Sequence, residues 1–182
     1  METSIVIAGF GGQGVLFAGQ LLAYAGMDNN LHVTWIPSYG PEMRGGTANC
    51  TVIVSDEPVG APIVARPDVA VVLNLPSLEK YEPLVKPGGL LVVNSSLIAQ
   101  KVSRTDVDVA YVPANDIADE LGSAKMMNMA TLGALLARRP FLTLDQLMLT
   151  LDAHLPARKA HLLAANKLVI QKGYEAAAAV PA

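Results

Sequence analysis

The chain has 182 residues, 52% of them apolar and only 16% charged, with a formal net charge of -3; an average soluble domain carries about 25% charged residues, so part of this surface is expected to be covered by other protein. That length suits one domain with a real core, and without clustered Lys and Arg the composition excludes nucleic acid as a partner. No apolar stretch reaches the roughly 18 residues of a membrane span, the first residues lack the basic start of a signal peptide, and the single cysteine, Cys50, excludes an internal disulfide, a Cys-x-x-Cys zinc site and an iron–sulfur cluster held by this chain alone; a cytoplasmic protein is expected.

Taken in chain order, Ser4-Ile5-Val6-Ile7-Ala8 reads as a buried strand, Gly9 to Gly14 as a glycine turn, and the apolar period from Val15 as a helix ending at or near Gly26. A second strand is predicted over Leu31–Ile36, a loop over Pro37–Thr47, and a strand with two distinct faces around Cys50, Val52 and Val54, closed by Asp56-Glu57-Pro58. Cys50 in that strand reads as a small buried hydrophobe. The runs Asp68–Leu75 and Gly89–Asn94 are continuously apolar, the pattern of parallel strands covered on both faces, with a short helix from about Pro76-Ser77 between them. Val107–Val112 is a further strand, followed by a helix over about Asp116–Leu121. Three helices are predicted over Lys125–Ala137, Thr143–His154 with Thr143 as N-cap, and Pro156–Gly173. The fold class is therefore α/β, a three-layer Rossmann-like domain with a largely parallel sheet over residues 1–175 and a frayed tail over 176–182. Right-handed crossovers would bring Gly9–Gly14, Ser38–Gly46 and Asn74 to one sheet edge.

Two loops carry the chemistry. Gly9, Gly11 and Gly14 stand on the G-x-G-x-x-G spacing, with Gly12 and Gln13 between them. Such a turn lets an anion approach the backbone N–H groups at a helix mouth. A dinucleotide site also needs a carboxylate at the end of the second strand; here Thr34-Trp35-Ile36-Pro37 offers none, and Asp28 precedes the strand, which argues against NAD. A plain strand-to-helix turn is the simplest alternative; Gln13 strains it, because an amide there serves a ligand or partner loop and not packing. The second loop, Ser38-Tyr39-Gly40-Pro41-Glu42-Met43-Arg44-Gly45-Gly46, joins an aromatic, an acid, a soft apolar arm and a planar cation, residue types of recognition surfaces more than of solvated turns. His32, His154 and His161 belong to no triad-like motif and read as surface or edge residues.

The two loops together, followed by Ser55-Asp56, Pro67-Asp68, Lys86-Pro87-Gly88-Gly89, Asn128-Met129, Leu132-Gly133, Asn166 and Gly173-Tyr174-Glu175, resemble the gamma subunit of the 2-oxoacid:ferredoxin oxidoreductases over nearly the whole chain. Arg44–Thr51 and Asn94-Ser95-Ser96 look most like the 2-oxoglutarate type, with pyruvate and branched-chain types as alternatives. The resemblance implies an assembly that decarboxylates a 2-oxoacid with thiamine diphosphate and Mg, passes electrons through iron–sulfur clusters to ferredoxin, and gives the acyl group to coenzyme A. It implies alpha and beta companions, and a delta subunit as a further candidate, which would hold those cofactors; no catalytic residue and no metal site is expected here. Two roles are open for Gly9–Gly14 and Ser38–Gly46: seating coenzyme A with Arg44, or bonding to companion subunits. The second is preferred, since no second basic residue lies beside either loop in the chain. A stand-alone nucleotide-binding sensor is the competing function, and a homodimer is plausible for the chain on its own.

Overall fold

Apolar runs with no polar alternation can only be satisfied by cover on both faces, and they form the middle of the sheet. A computed structural model describes residues 1–39 and 46–179. Its strands are β1 (Glu2–Phe10), β2 (His32–Tyr39), β3 (Thr47–Ser55), β4 (Val69–Val72), β5 (Leu90–Asn94) and β6 (Asp108–Val112), in the spatial order β2-β3-β1-β4-β5-β6. The pairings β1–β4, β4–β5 and β5–β6 are parallel, whereas β3 runs antiparallel to both β1 and β2. The helices are α1 (Val15–Asp28), α2 (Leu75–Tyr81), α3 (Ala114–Glu120), α4 (Met127–Arg138), α5 (Leu144–His154) and α6 (Leu163–Ala178).

The layers are unequal. Ile5, Ile7, Val69, Val71, Leu90 and Val92 turn to the face covered by α1, α3, α4, α5 and α6. Their neighbours Val6, Ala8, Ala70, Val72, Leu91 and Val93 share a smaller cluster with Leu78 and Tyr81 of α2, Val85 and Ile98, against which Val102, Val107 and Tyr111 pack. The thick layer is held by α4 against α6, where glycines replace side chains. A Cβ on Gly133 would stand 2.0 Å from the Ile170 carbonyl oxygen, and one on Gly173 would stand 2.0 Å from that of Ala130. Thr143 caps α5 as expected: its hydroxyl accepts from Gln146 N–H and the Gln146 carboxamide accepts from Thr143 N–H, a reciprocal capping box.

Several boundaries differ from expectation. Helix α1 runs past Gly26 to Asp28, and the left-handed residue that turns the chain is Asn30, φ 60°; Gly26 is there because a Cβ would come within 2.6 Å of Val33 Cγ2. Strand β2 continues through Pro37 and Ser38 to Tyr39, so these are not loop; proline survives because β2 is the outermost strand and needs its N–H groups on one side only. Residues 157–162 form a 3-10 turn, not the start of the last helix, and α6 extends to Ala178 beyond the expected tail boundary, with Ala177 buried at 2% exposure. Helix α3 begins at Ala114, two residues before Asp116.

Candidate functional site

The glycine turn sits at the carboxyl edge of β1, as its place after an apolar run requires. Phe10 pairs with Thr47, and Gly11 N–H donates to the Gly46 carbonyl at 2.9 Å, so the first loop and the end of the second meet there. Asn74 lies on the same edge at the mouth of α2. Gly12 (φ 97°) and Gly14 (φ 75°) adopt the left-handed backbone that favours glycine. A Cβ on Gly12 would meet nothing within 4 Å, whereas one on Gly14 would stand 2.4 Å from Asn128 Nδ2.

Gln13 has a structural duty that its position in the sequence hides. Its Oε1 accepts from Phe10 N–H at 2.6 Å, and its Nε2 donates to the Leu73 carbonyl at 3.4 Å. Asn74 Nδ2 approaches the same Oε1 at 3.5 Å, while Asn74 Oδ1 accepts from Ser77 N–H and caps α2. The expectation that Gln13 does nothing for packing is corrected: its amide braces the turn from inside. The brace continues to Asn94, whose Nδ2 reaches the Leu73 carbonyl at 3.4 Å and Asn115 Oδ1 at 2.9 Å. Gln13, Asn74, Asn94 and Asn115 thus tie the ends of β1, β4 and β5 together without a net charge.

Asn128, at the start of α4, donates from Nδ2 to the Gly14 carbonyl at 3.0 Å across 114 residues of chain. It belongs among the residues that shape the turn, and no local signal marks it. α1 starts at Gly14 with no side-chain cap and no acidic residue in its first turn, which leaves its N-terminal dipole unneutralised.

Two clefts open beside this turn. One, about 510 Å³, has apolar walls from Phe10, Val15, Leu16, Phe17 and Ala48 over a glycine floor. The other, about 680 Å³, is bounded by Gly12, Gly14, Asn128 and Asn166 and carries Lys125 and Lys159. Lys159 Nζ also stands 5.7 Å from the Phe17 ring centre. The expectation of no second basic residue near the loops is therefore corrected: the fold brings in two lysines from the 3-10 turns before α4 and after α5. Of the second loop, Ser38 is exposed on β2 and Gly46 is half-buried. Gly40, Pro41, Glu42, Met43, Arg44 and Gly45 lie outside the described residues, as does the Tyr39 side chain.

The remaining candidates resolve into packing. Burial pushes the Cys50 thiol up to about 12, far from a reactive thiolate. Asp28 closes α1 at the end away from the turn, where it accepts from Thr150 Oγ1 at 3.0 Å and pairs with His154 Nε2 at 3.0 Å; the His154 ring stacks on Tyr24. His32 and His161 are exposed. Among the described residues no three His, Cys, Asp or Glu side chains gather as a metal site. No helix among them is long and apolar enough to cross a membrane. On one side β1 is flanked at the turn by β3, which presents Thr47 and Ala48 there, neither of them the ribose carboxylate of a dinucleotide fold.

Residues 4–176 match the family described as pyruvate ferredoxin/flavodoxin oxidoreductase. The chain is 43% identical over 136 residues to the ketoisovalerate oxidoreductase subunit VorA of Methanothermobacter marburgensis, matching over 75% of this chain and 28% of that one; it thus spans under a third of the length of that relative. It is 33% identical to the 2-oxoglutarate synthase subunit KorC of Methanocaldococcus jannaschii across 97% of this chain and 95% of KorC. The fold is similar to the crystal structure of a keto/oxoacid ferredoxin oxidoreductase gamma subunit from Geobacter sulfurreducens, at 27% identity and a TM-score of 0.83, covering 98% of this chain and 99% of that one.

Proposed function

The chain belongs to the pyruvate ferredoxin/flavodoxin oxidoreductase family, and from that premise we propose that it is the gamma-type subunit of a cytoplasmic 2-oxoacid:ferredoxin oxidoreductase. The observation that carries this reading is end-to-end coverage: both KorC and the solved gamma subunit are accounted for almost entirely by this chain. The KorC likeness favours 2-oxoglutarate as the substrate of the assembly; the VorA likeness keeps a branched-chain 2-oxoacid in the test.

The chain's own contribution is architectural. One cysteine in 182 residues, buried and held as a thiol, does not fit a cluster that takes four thiolates; thiamine diphosphate, Mg and the clusters belong on alpha and beta companions, with ferredoxin as the acceptor. What this chain supplies is a glycine turn braced by uncharged side chains. Gln13 and Asn128 hold the glycine turn in shape, and the apolar cleft beside it accepts an anchor from a companion. A second role rests on a separate observation: Lys125, Lys159 and the uncapped mouth of α1 converge on one cleft, a setting for the phosphates of coenzyme A. In this reading that cleft is the coenzyme A side of the subunit.

The test is coenzyme A-dependent reduction of a viologen dye by 2-oxoglutarate, pyruvate and 3-methyl-2-oxobutanoate, using co-purified companions with this chain present, absent, or carrying Lys125→Ala with Lys159→Ala, or Arg44→Ala. The subunit reading expects activity that requires the chain. A raised coenzyme A requirement in the lysine or Arg44 variants supports the second role, and unchanged kinetics removes it. Companions that neither bind the chain nor gain activity from it would refute the reading.

A further inference from the structure

We infer that residues 58–66 form an arm that lodges in an apolar, acid-edged groove of a companion subunit; the inference rests on the gamma-type reading above. The connection leaves β3 at Ser55, paired with Glu2, and enters β4 at Val69, paired with Ile5. Two strand spacings across and three residues along put these ends about 14 Å apart, which about five extended residues span. The chain spends residues 56–68 on it. Both feet are fixed to the start of β1: Asp56 N–H donates to the Met1 carbonyl and Asp68 N–H to the Ser4 carbonyl, each at 3.0 Å. Between them residues 58–66 form no helix or strand and make no hydrogen bond among the described residues. Ile63 is 85% exposed, and a Cβ on Gly60 would meet nothing within 4 Å.

Surplus chain of this kind is costly to leave idle, and long loops without structure of their own are most often functional. Pro58, Pro62 and Pro67 each hold φ at about −65° and push the residue before them toward extended backbone, so the arm is stiffened in advance and loses little freedom on docking. Val59, Ile63 and Val64 give it an apolar body, and within 58–66 the one charge is Arg66, exposed and without an ion pair among the described residues. The occupant follows from that charge. A cation at the foot of an apolar arm calls for a carboxylate at the lip of the groove that receives it. A second copy of this chain does not offer one: among the described residues its apolar cleft has no acidic wall, and the cleft on the other side of Phe17 carries Lys125 and Lys159. VorA joins a matching unit to a far longer remainder, and the companion that takes the arm is the counterpart of that remainder.

The experiment measures binding of the full chain to its co-purified companions for the wild type, Ile63→Asp and Arg66→Glu, beside amide hydrogen exchange of the wild type alone and in the complex. Both residues are exposed, so the variants are expected to keep the circular dichroism and Tm of the wild type. Expected are binding weaker by about tenfold or more for Ile63→Asp, the scale of one buried apolar anchor, a loss for Arg66→Glu that shrinks as salt is raised, and fast exchange at 59–66 that slows in the complex. Companions that hold the wild type while Ile63→Asp binds as tightly, or while 59–66 exchanges as fast as in the free chain, overturn the arm and leave the subunit reading standing. Companions that do not bind the wild type remove that reading and the arm with it. Should Ile63→Asp not fold, the exchange measurement decides by itself.

Discussion

Replacing Gly133 by alanine sets helix propensity against packing, and the structure says which wins. In isolation the helix would gain about 1 kcal/mol from alanine over glycine. In α4 the new Cβ would stand 2.0 Å from the Ile170 carbonyl oxygen and 2.8 Å from Tyr174 N. Both obstacles are backbone of α6, so neither can rotate away, and α4 must part from α6 by about 1 Å to bring the first contact to 3.0 Å. The surrounding Met129, Leu132, Val169 and Ile170 are fully buried, and a gap of about 0.5–1 Å costs such atoms a quarter to a half of their dispersion attraction. Overpacking of a dense core costs about 1–3 kcal/mol; the rigid obstacle places this site at the upper end, and the propensity gain brings the net to about 2 kcal/mol. At about 2–4 °C per kcal/mol for a domain of this size, Tm falls by about 4–8 °C. Differential scanning calorimetry of Gly133→Ala beside Gly60→Ala, whose Cβ would meet nothing within 4 Å, isolates the effect. Gly173→Ala acts at the same crossing, so the double variant loses less than the sum of the two. A Gly133→Ala protein that melts at or above the wild type, or two strictly additive losses, would refute the reasoning.

Asn128→Ala removes the donor to the Gly14 carbonyl and is expected to cost about 1–2 kcal/mol, with faster hydrogen exchange at residues 11–15; unaltered exchange there would show that the turn does not depend on Asn128. Burial raises the Asp68 carboxyl, but hydrogen bonds from Lys86 and Ser4 outweigh it and hold the group below the ordinary carboxylate range. Its folded pKa being the lower one, its contribution is complete above the unfolded pKa of about 3.9 and is lost as pH falls through the folded value. Asp68→Asn should therefore narrow the gap in Tm to the wild type as the solution is acidified, and a gap independent of pH contradicts this. The Cys50 thiol, pushed up to about 12 by burial, is expected to resist Ellman's reagent in the native protein and to react at once in guanidinium; rapid native labelling would place the thiol elsewhere.

Much of the fold was legible because local rules encode it. Apolar runs without alternation gave β1, β4 and β5, Thr143 as N-cap gave the start of α5, and Gly9–Gly14 after a strand gave the turn. The paired loops carried the family. Sequence pattern could not show that β3 inserts between β1 and β2, because an alternating strand fits beside either neighbour and only the hairpin from β2 decides it. Nor could it show Gln13 turned inward, since the acceptor on Leu73 lies 60 residues away.

Sequence alone determined the class of the domain, the place of the glycine turn at a sheet edge and the lack of thiolates for a cluster, since these depend on periodicity, composition and spacing within a few residues. Only the tertiary structure decided that Asn128 grips Gly14, that Lys125 and Lys159 share a cleft beside Gly12, and that Gly133 and Gly173 face each other's backbones. Contacts between residues so far apart in the chain leave no period and no propensity in it; they exist once the sheet order and helix crossings have fixed which surfaces touch.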